Sequence, residues 1–287
     1  MNEFSVSFEG QVGLITGAAG GLGLAYARLL ARLGAHVLMH DVGADTDGEG
    51  SDPQRVEDAV QVLRREGLQV EPVHGFLDTR AQCRALIKAA VQVRGRLDFI
   101  IHNAGWVEYQ TVAEVDDAHL ARMLAIAAKA PLWLAQAAWP TMQAQGGGRI
   151  VVTTSDRALF PQYVQHGLAS YAMAKMAALG VVHALAAEGQ QENILVNAIS
   201  PVAKTRMWGI SGEPEELHPA SVAPGVAWLV SPRNQANGWI LRASNGQFRA
   251  LKLEEDEAVA YPRDLHAVHA SSVEAVAAQW HDIAARA

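Results

Sequence analysis

Short runs of β-branched and apolar residues recur along this chain, with longer segments of helical apolar spacing between them. The candidate strands are Val12–Thr16, Ala35–His40, Gln69–His74, Leu97–His102, Arg149–Thr154, Ile194–Ile199 and Gly238–Leu241. Between them, segments such as Leu22–Leu33, Gln54–Arg65 and Arg80–Val93 place apolar residues at i, i+3 and i+4, the mark of a helix with one buried face. Strands that alternate with helices of this length are joined by right-handed crossovers into a parallel sheet. Phe99-Ile100-Ile101 is apolar at every position, as a sheet covered on both faces requires. The expected fold is therefore a doubly wound α/β domain. The 287 residues suit one such domain, and half of them are apolar against 18% charged, which excludes a disordered chain.

The first strand runs into Thr16-Gly17-Ala18-Ala19-Gly20-Gly21-Leu22-Gly23, and a helical pattern follows at once. In such a turn Gly17 permits the sharp exit from the strand and Gly21 lets backbone approach a pyrophosphate. Gly23 lets the helix pack closely. The helix start, at Leu22, offers free amides and a partial positive charge to phosphate. Asp41 ends the second strand, eighteen residues past Gly23. A carboxylate there accepts from ribose hydroxyls and repels a 2′-phosphate, and neither Ala18 nor Val42 supplies a base for that phosphate. NAD is the cofactor expected, rather than NADP.

Tyr171-Ala172-Met173-Ala174-Lys175 opens a later helix, and its i,i+4 spacing puts tyrosine and lysine on one face. Oxidation of an alcohol needs a base for the hydroxyl proton, and an ammonium nearby lowers the pKa of a phenol. Ser155, at the end of the fifth strand, is positioned to hydrogen-bond the reacting oxygen. Catalysis is assigned to Tyr171, Lys175 and Ser155.

Taken in order, Thr16-Gly17-x-x-x-Gly21-x-Gly23, Asn103-Ala104-Gly105, Ser155 and Tyr171-x-x-x-Lys175 resemble the short-chain dehydrogenase/reductase family over nearly the whole chain. The resemblance implies a Rossmann-type sheet of seven parallel strands; the length and the less regular end of the chain give a single domain over 1–287 with an irregular C-terminal extension from about 243. It also implies Asp78 beside the adenine and Asn103, Ala104 and Gly105 near the cofactor. Tyr171 and Lys175 would reach the nicotinamide ribose, and Pro201 to Met207, with Ala203 and Thr205, would form a loop over the nicotinamide.

A narrower resemblance is to the D-3-hydroxyacyl-CoA dehydrogenase domains of peroxisomal multifunctional enzymes, also described as 17β-hydroxysteroid dehydrogenases. It rests on His40-Asp41-Val42-Gly43 with its Gly/Asp-rich loop to Pro53, on Ala137-Ala138-Trp139, and on Pro201-Val202-Ala203-Lys204-Thr205-Arg206-Met207. Val222-Ala223-Pro224, Asn237-Gly238 and Val273-Glu274-Ala275-Val276 with Trp280 continue it. This implies a 3-hydroxyacyl-CoA or a bulky hydrophobic alcohol such as a steroid as substrate. Three features depart from the family pattern. Ala127 stands where an asparagine holds a water in a proton relay to the lysine, and Val202 replaces a glycine after Pro201. The interval from Ser155 to Tyr171 is sixteen residues, which enlarges the loop Asp156–Leu168 beside the substrate.

These departures keep open a second reading, a non-catalytic NAD-binding or interaction protein that has retained the fold. A formal charge of −7 gives no electrostatic reason to expect nucleic acid or an anionic membrane. The single cysteine, Cys83, cannot form an internal disulfide, and no run of eighteen uninterrupted apolar residues occurs, so a cytoplasmic protein is expected. Eleven histidines lack any His-Glu-x-x-His or cysteine pair, so no metal is expected. The family habit implies a homodimer or homotetramer pairing helices near Ala118–Gln143 and Ala169–Glu188.

Overall fold

The computed structural model describes residues 6–206, 209 and 214–284. It divides into two compact units, residues 1–251 and 252–287. In the first, β1 (Val12–Thr16), β2 (His36–His40), β3 (Val70–Pro72), β4 (Phe99–His102), β5 (Gly148–Thr153), β6 (Ile194–Val202), β7 (Ile240–Ser244) and β8 (Gln247–Leu251) form one sheet. The strand order is β3-β2-β1-β4-β5-β6-β7-β8. The first seven are parallel, as expected, and β8 adds an antiparallel eighth strand. The cause of this addition is local. Asn245 and Gly246 have φ of 50° and 77°, and two consecutive left-handed residues make the tight turn whose twist suits a hairpin. The sheet thus continues past 243, to Leu251.

Alternate residues of the central strands feed two separate cores, which is why these strands are buried on both faces. Ile15, Met39, Ile101, Val151 and Ile199 face one layer, covered by α1 (Gly21–Arg32), α2 (Gln54–Arg65) and α8 (Ala223–Val230). Leu14, Leu38, Ile100, Ile150 and Val196 face the other, covered by α3 (Arg80–Arg94), α5 (Ala130–Ala144) and α7 (Ala169–Gly189). Thr79 and Gln82 form a reciprocal cap at the start of α3, satisfying amides the helix itself cannot.

Pro131 falls at the start of α5 and not inside it. Ahead of it, α4 (Asp117–Leu124) passes into a wider π turn, Ala125–Lys129. A further helix, α6 (Asp156–Leu159), opens the enlarged loop. The stretch Ala169–Glu192, which contains α7, is long and apolar enough to cross a membrane by length and composition, and half of it is buried inside the protein. The second unit, by itself, carries α9 (Val273–Ala278) and α10 (Trp280–Ile283), with the Ser272 hydroxyl accepting from the Ala275 amide at the start of α9.

Between β1 and β4 the strand order reverses, leaving a crevice at the carboxyl ends of these strands. Asp98 fixes the other end of this pair. Its carboxylate accepts from the Val12 amide at 2.8 Å and from Arg96 at 2.7 and 2.8 Å. Replacing it strands a buried amide. Asp98→Ala is expected to cost about 2 kcal/mol, read as a lower urea midpoint with unchanged slope.

Candidate active site

The turn after β1 is shaped by glycine where a side chain has no room. Gly17 has φ of 67°, and a Cβ on Gly23 would lie 2.0 Å from the Gly17 carbonyl oxygen. So Gly23 packs behind the turn instead of facing its opening. Asp41 holds the same turn from the end of β2. One carboxylate oxygen accepts from the Ala19 amide at 3.0 Å and the other from Gly43 at 2.8 Å.

Beneath the turn lies a buried hydrogen-bond chain whose directions can be assigned. His102 Nε2 lies 2.8 Å from the Ile126 carbonyl and so carries the proton that bond requires. Its Nδ1, 3.0 Å from the Thr16 hydroxyl, then accepts. The Thr16 oxygen in turn accepts from the Asn103 and Ala104 amides at 3.1 and 3.2 Å. Asn103 Nδ2 closes the chain on the Gly17 carbonyl at 3.0 Å. Burial and the nearby positive charge of Lys175 push the His102 pKa down to about 3, consistent with a neutral ring. Asn103 thus supports the turn.

A cavity of about 460 Å³ opens above this network. Of the residues assigned to the cofactor, Gly17, Gly21, Leu22, Asp41, Asp78, Asn103, Ala104, Gly105 and Thr205 line it. Two buried lining atoms, Thr205 Oγ1 and Trp106 Nε1, have no partner among the described residues. A site with free amides, a fixed carboxylate and orphaned donors is chemically suited to a dinucleotide. Pro201 and Ala203 stand outside the lining. The reason for Pro201 is that β6 stays paired with β7 through Pro201 and Val202, so the following loop begins only at Ala203; Met207 lies outside the described residues.

Ser155, Tyr171 and Lys175 gather beside the cavity and not in its lining. Ser155 leaves β5 as the cap of α6, its hydroxyl accepting from the Arg157 amide at 3.2 Å. Tyr171, in the first turn of α7, is 8% exposed. Lys175, one turn on, places Nζ 5.8 Å from the Tyr171 ring centre and donates to the Thr153 carbonyl at 3.0 Å. It also lies beside Gly105, at 3.6 Å from where a Cβ would stand.

The electrostatics differ from the expectation that Lys175 lowers the Tyr171 pKa. Burial holds the phenol above its usual value, and what opposes burial is the Ser155 hydrogen bond and the charge of Arg157. Burial pushes Lys175 itself down to about 8. Ala127 sits in the π turn, buried against Trp106, Met123, Leu168, Tyr171 and Ala174, so an apolar wall replaces the relay asparagine.

The enlarged loop is well anchored. Asp156 makes a two-pronged pair with Arg242 at 2.6 and 2.9 Å and accepts from Ser200 at 2.7 Å. Arg242 also lies over the Phe160 ring, 4.6 Å from its centre. Across the opening, Arg157 donates to the Tyr109 hydroxyl at 2.7 Å, which donates to Gln165 at 2.9 Å. Sequence reasoning had singled out neither His102, Trp106 nor Arg122 for this site. Trp106 directly follows Asn103-Ala104-Gly105 and was readable as a neighbour of the cofactor; Arg122 carries no local signal.

The pattern that defines the short chain dehydrogenase family matches residues 11–215. Peroxisomal multifunctional enzyme type 2 of Mus musculus is 32% identical over 250 residues, which is 86% of this chain and 33% of that protein. The chain thus spans about a third of the length of that curated relative. A short chain dehydrogenase from Mycobacterium avium superposes with a TM-score of 0.80 at 25% identity, covering 96% of this chain and 95% of that one. A 3-oxoacyl (acyl-carrier-protein) reductase from Agrobacterium tumefaciens, with NADP bound, has the same fold at a TM-score of 0.72 and 23% identity, covering 84% of this chain and 95% of that one. The chain belongs to the short-chain dehydrogenases, oxidoreductases that act on CH–OH groups with a nicotinamide cofactor.

The buried histidine links the site to acid stability. Its folded pKa of about 3 lies below the ordinary 6.5. Below pH 6.5 the unfolded chain therefore takes up a proton that the folded chain refuses, and stability falls until about pH 3. One such ring contributes a slope of about 1.4 kcal/mol per pH unit. His102→Gln, which can both accept from Thr16 and donate to Ile126, is expected to flatten the pH dependence of the urea midpoint by that slope.

Proposed function

We propose that the protein is an NAD-dependent dehydrogenase of secondary alcohols, with a 3-hydroxyacyl-CoA or a bulky hydrophobic alcohol such as a steroid as substrate. The observation that carries this is the convergence of Ser155, Tyr171 and Lys175 at the edge of the cavity. Among these three, Ser155 opposes the rise that burial imposes on the Tyr171 phenol.

A bound nicotinamide would supply the acceptor for the hydride of the carbinol carbon. The chain's own residues manage the proton. Deprotonated Tyr171 takes the hydroxyl proton, Ser155 donates to the reacting oxygen, and Lys175 is held by Thr153 beside both Gly105 and Tyr171. Because burial raises the Tyr171 pKa, the neutral phenol dominates near pH 7. Alcohol oxidation should therefore accelerate into the alkaline range, while reduction of a ketone, which needs the phenol proton, should not.

The preference for NAD rests on Asp41. Its oxygens are fixed by two amides, which hold a negative charge where a 2′-phosphate would lie. Arg55, Arg122 and Arg206 also line the cavity. Arg55 and Arg206 donate to the Ala44 carbonyl at 2.7 and 2.8 Å, and Arg122 to that of Gly48.

The second reading, a non-catalytic NAD-binding protein, draws on Ala127 at the relay position. Tyr171→Phe separates the two: turnover should fall about a thousandfold with dinucleotide affinity unchanged, and retained turnover defeats the catalytic assignment. A panel of 3-hydroxyacyl-CoA, steroid and aryl alcohols, followed by NADH and NADPH formation, is expected to give NADH with an acyl or bulky alcohol. The reading also takes the protein as a cytoplasmic homodimer or homotetramer. The buried free thiol of Cys83 suits a reducing compartment, and light scattering reads the assembly.

A further inference from the structure

The Gly/Asp-rich segment after β2 is not a loose surface loop. The Asp52 amide and the Ser51 hydroxyl both donate to the Val42 carbonyl, at 2.9 and 3.0 Å, closing its base. Within it, Asp45 gathers the tip. Its side chain accepts from the Asp47 and Glu49 amides at 3.0 and 2.9 Å, and its own amide donates to the Glu49 carbonyl at 2.8 Å. The loop is thus a preformed unit that can be held or released as one piece.

What holds it comes from the opposite wall of the cavity. Gly48, with φ of 77°, lies flat on the Trp106 indole, where a Cβ would come within 2.7 Å of the ring. Arg122 stacks on the same indole, 5.2 Å from its centre. That guanidinium also donates to the Gly48 carbonyl and pairs with Glu49. Arg122 and Ile126, four residues apart along the helix, both face the cavity, whose lining also includes Asp45, Gly48, Gly50 and Trp106. Arg206 grips the near end of the loop through the Ala44 carbonyl. The segment therefore bridges the cavity, rooted at β2 and fastened at α4.

We infer that Arg122 is a positioning residue that fastens the 42–53 loop as a strap over the bound dinucleotide, so that release of the reduced cofactor requires the Arg122 contacts to open. The inference rests on reading the cavity as the dinucleotide site. A planar, multiply donating cation is needed because one group must stack on an indole and bond a carbonyl and a carboxylate together. Breaking such a clasp acts on departure more than on encounter.

The test uses the intact chain, with NADH and NADPH as probes. Stopped-flow fluorescence of whichever binds should show Arg122→Ala releasing it about tenfold faster, with the association rate little changed and the dissociation constant raised in proportion. Arg122→Lys, which keeps a charge for Glu49 without the planar stack, should fall between. Hydrogen exchange should quicken at the amides of 43–50 in both variants, while those of β1 and β4 stay protected, which also reports that the variants are folded. Unchanged release and exchange overturn the strap and leave the dinucleotide reading intact. Failure of the unaltered protein to bind either probe overturns both.

Discussion

The hydroxyl of Thr16 is the atom on which the site's geometry turns. It donates to the His102 ring and accepts two amides from the segment after β4, joining the two strands at the point where the sheet changes direction. Each bond fixes the direction of the next. The Ile126 carbonyl sets which nitrogen of His102 is protonated, and that choice makes the other nitrogen an acceptor for Thr16. A protonated imidazole would donate from both nitrogens and reverse the Thr16 bond. The low pKa of His102 is therefore part of the architecture. Through Asn103, the same chain supports the carbonyl of Gly17, so the glycine turn takes its shape from a polar network as well as from the absence of side chains.

Much of the fold was legible because its elements are locally determined. The strand Val12–Thr16 and the helix Gln54–Arg65 fall where their periodicity places them. The third strand is shorter than expected, Val70–Pro72, and proline is tolerated there because the strand lies at the sheet edge. The antiparallel eighth strand breaks the helix–strand alternation, and its signal is the local Asn245-Gly246 turn, not the period of the elements. Tyr171, Lys175 and Ser155 were readable from spacing, since a single helix face and a strand end bring them together. Arg122 and Arg157 were not readable in the same way. Their roles depend on which loops cross the opening, and no short-range pattern encodes that.

The corner around Tyr171 shows how burial redistributes charge. Lys175 is only 5% exposed and bonded to a carbonyl, so its charge is partly spent on the backbone. Arg157, which belongs to the enlarged loop, is the cation that opposes the burial of the Tyr171 phenol. The loop's length and the loss of the asparagine at 127 thus concern the same atom from two sides. One brings a guanidinium toward the phenol, and the other removes a polar group from its surroundings.

The hairpin of β7 and β8 has a consequence for how the molecule behaves in a crowded solution. A sheet of seven parallel strands would end at β7 with a row of unpaired backbone groups, a template for another chain's strand. Here β8 takes up that row, register by register from Ile240↔Leu251 to Ser244↔Gln247. The new rim is five residues long, carries Arg249 facing solvent, and is followed by Lys252. At the other end of the sheet, β3 has only three residues and finishes in a proline. Both rims are poor seeds for strand addition, so the fold resists edge-to-edge aggregation at each end by a different means.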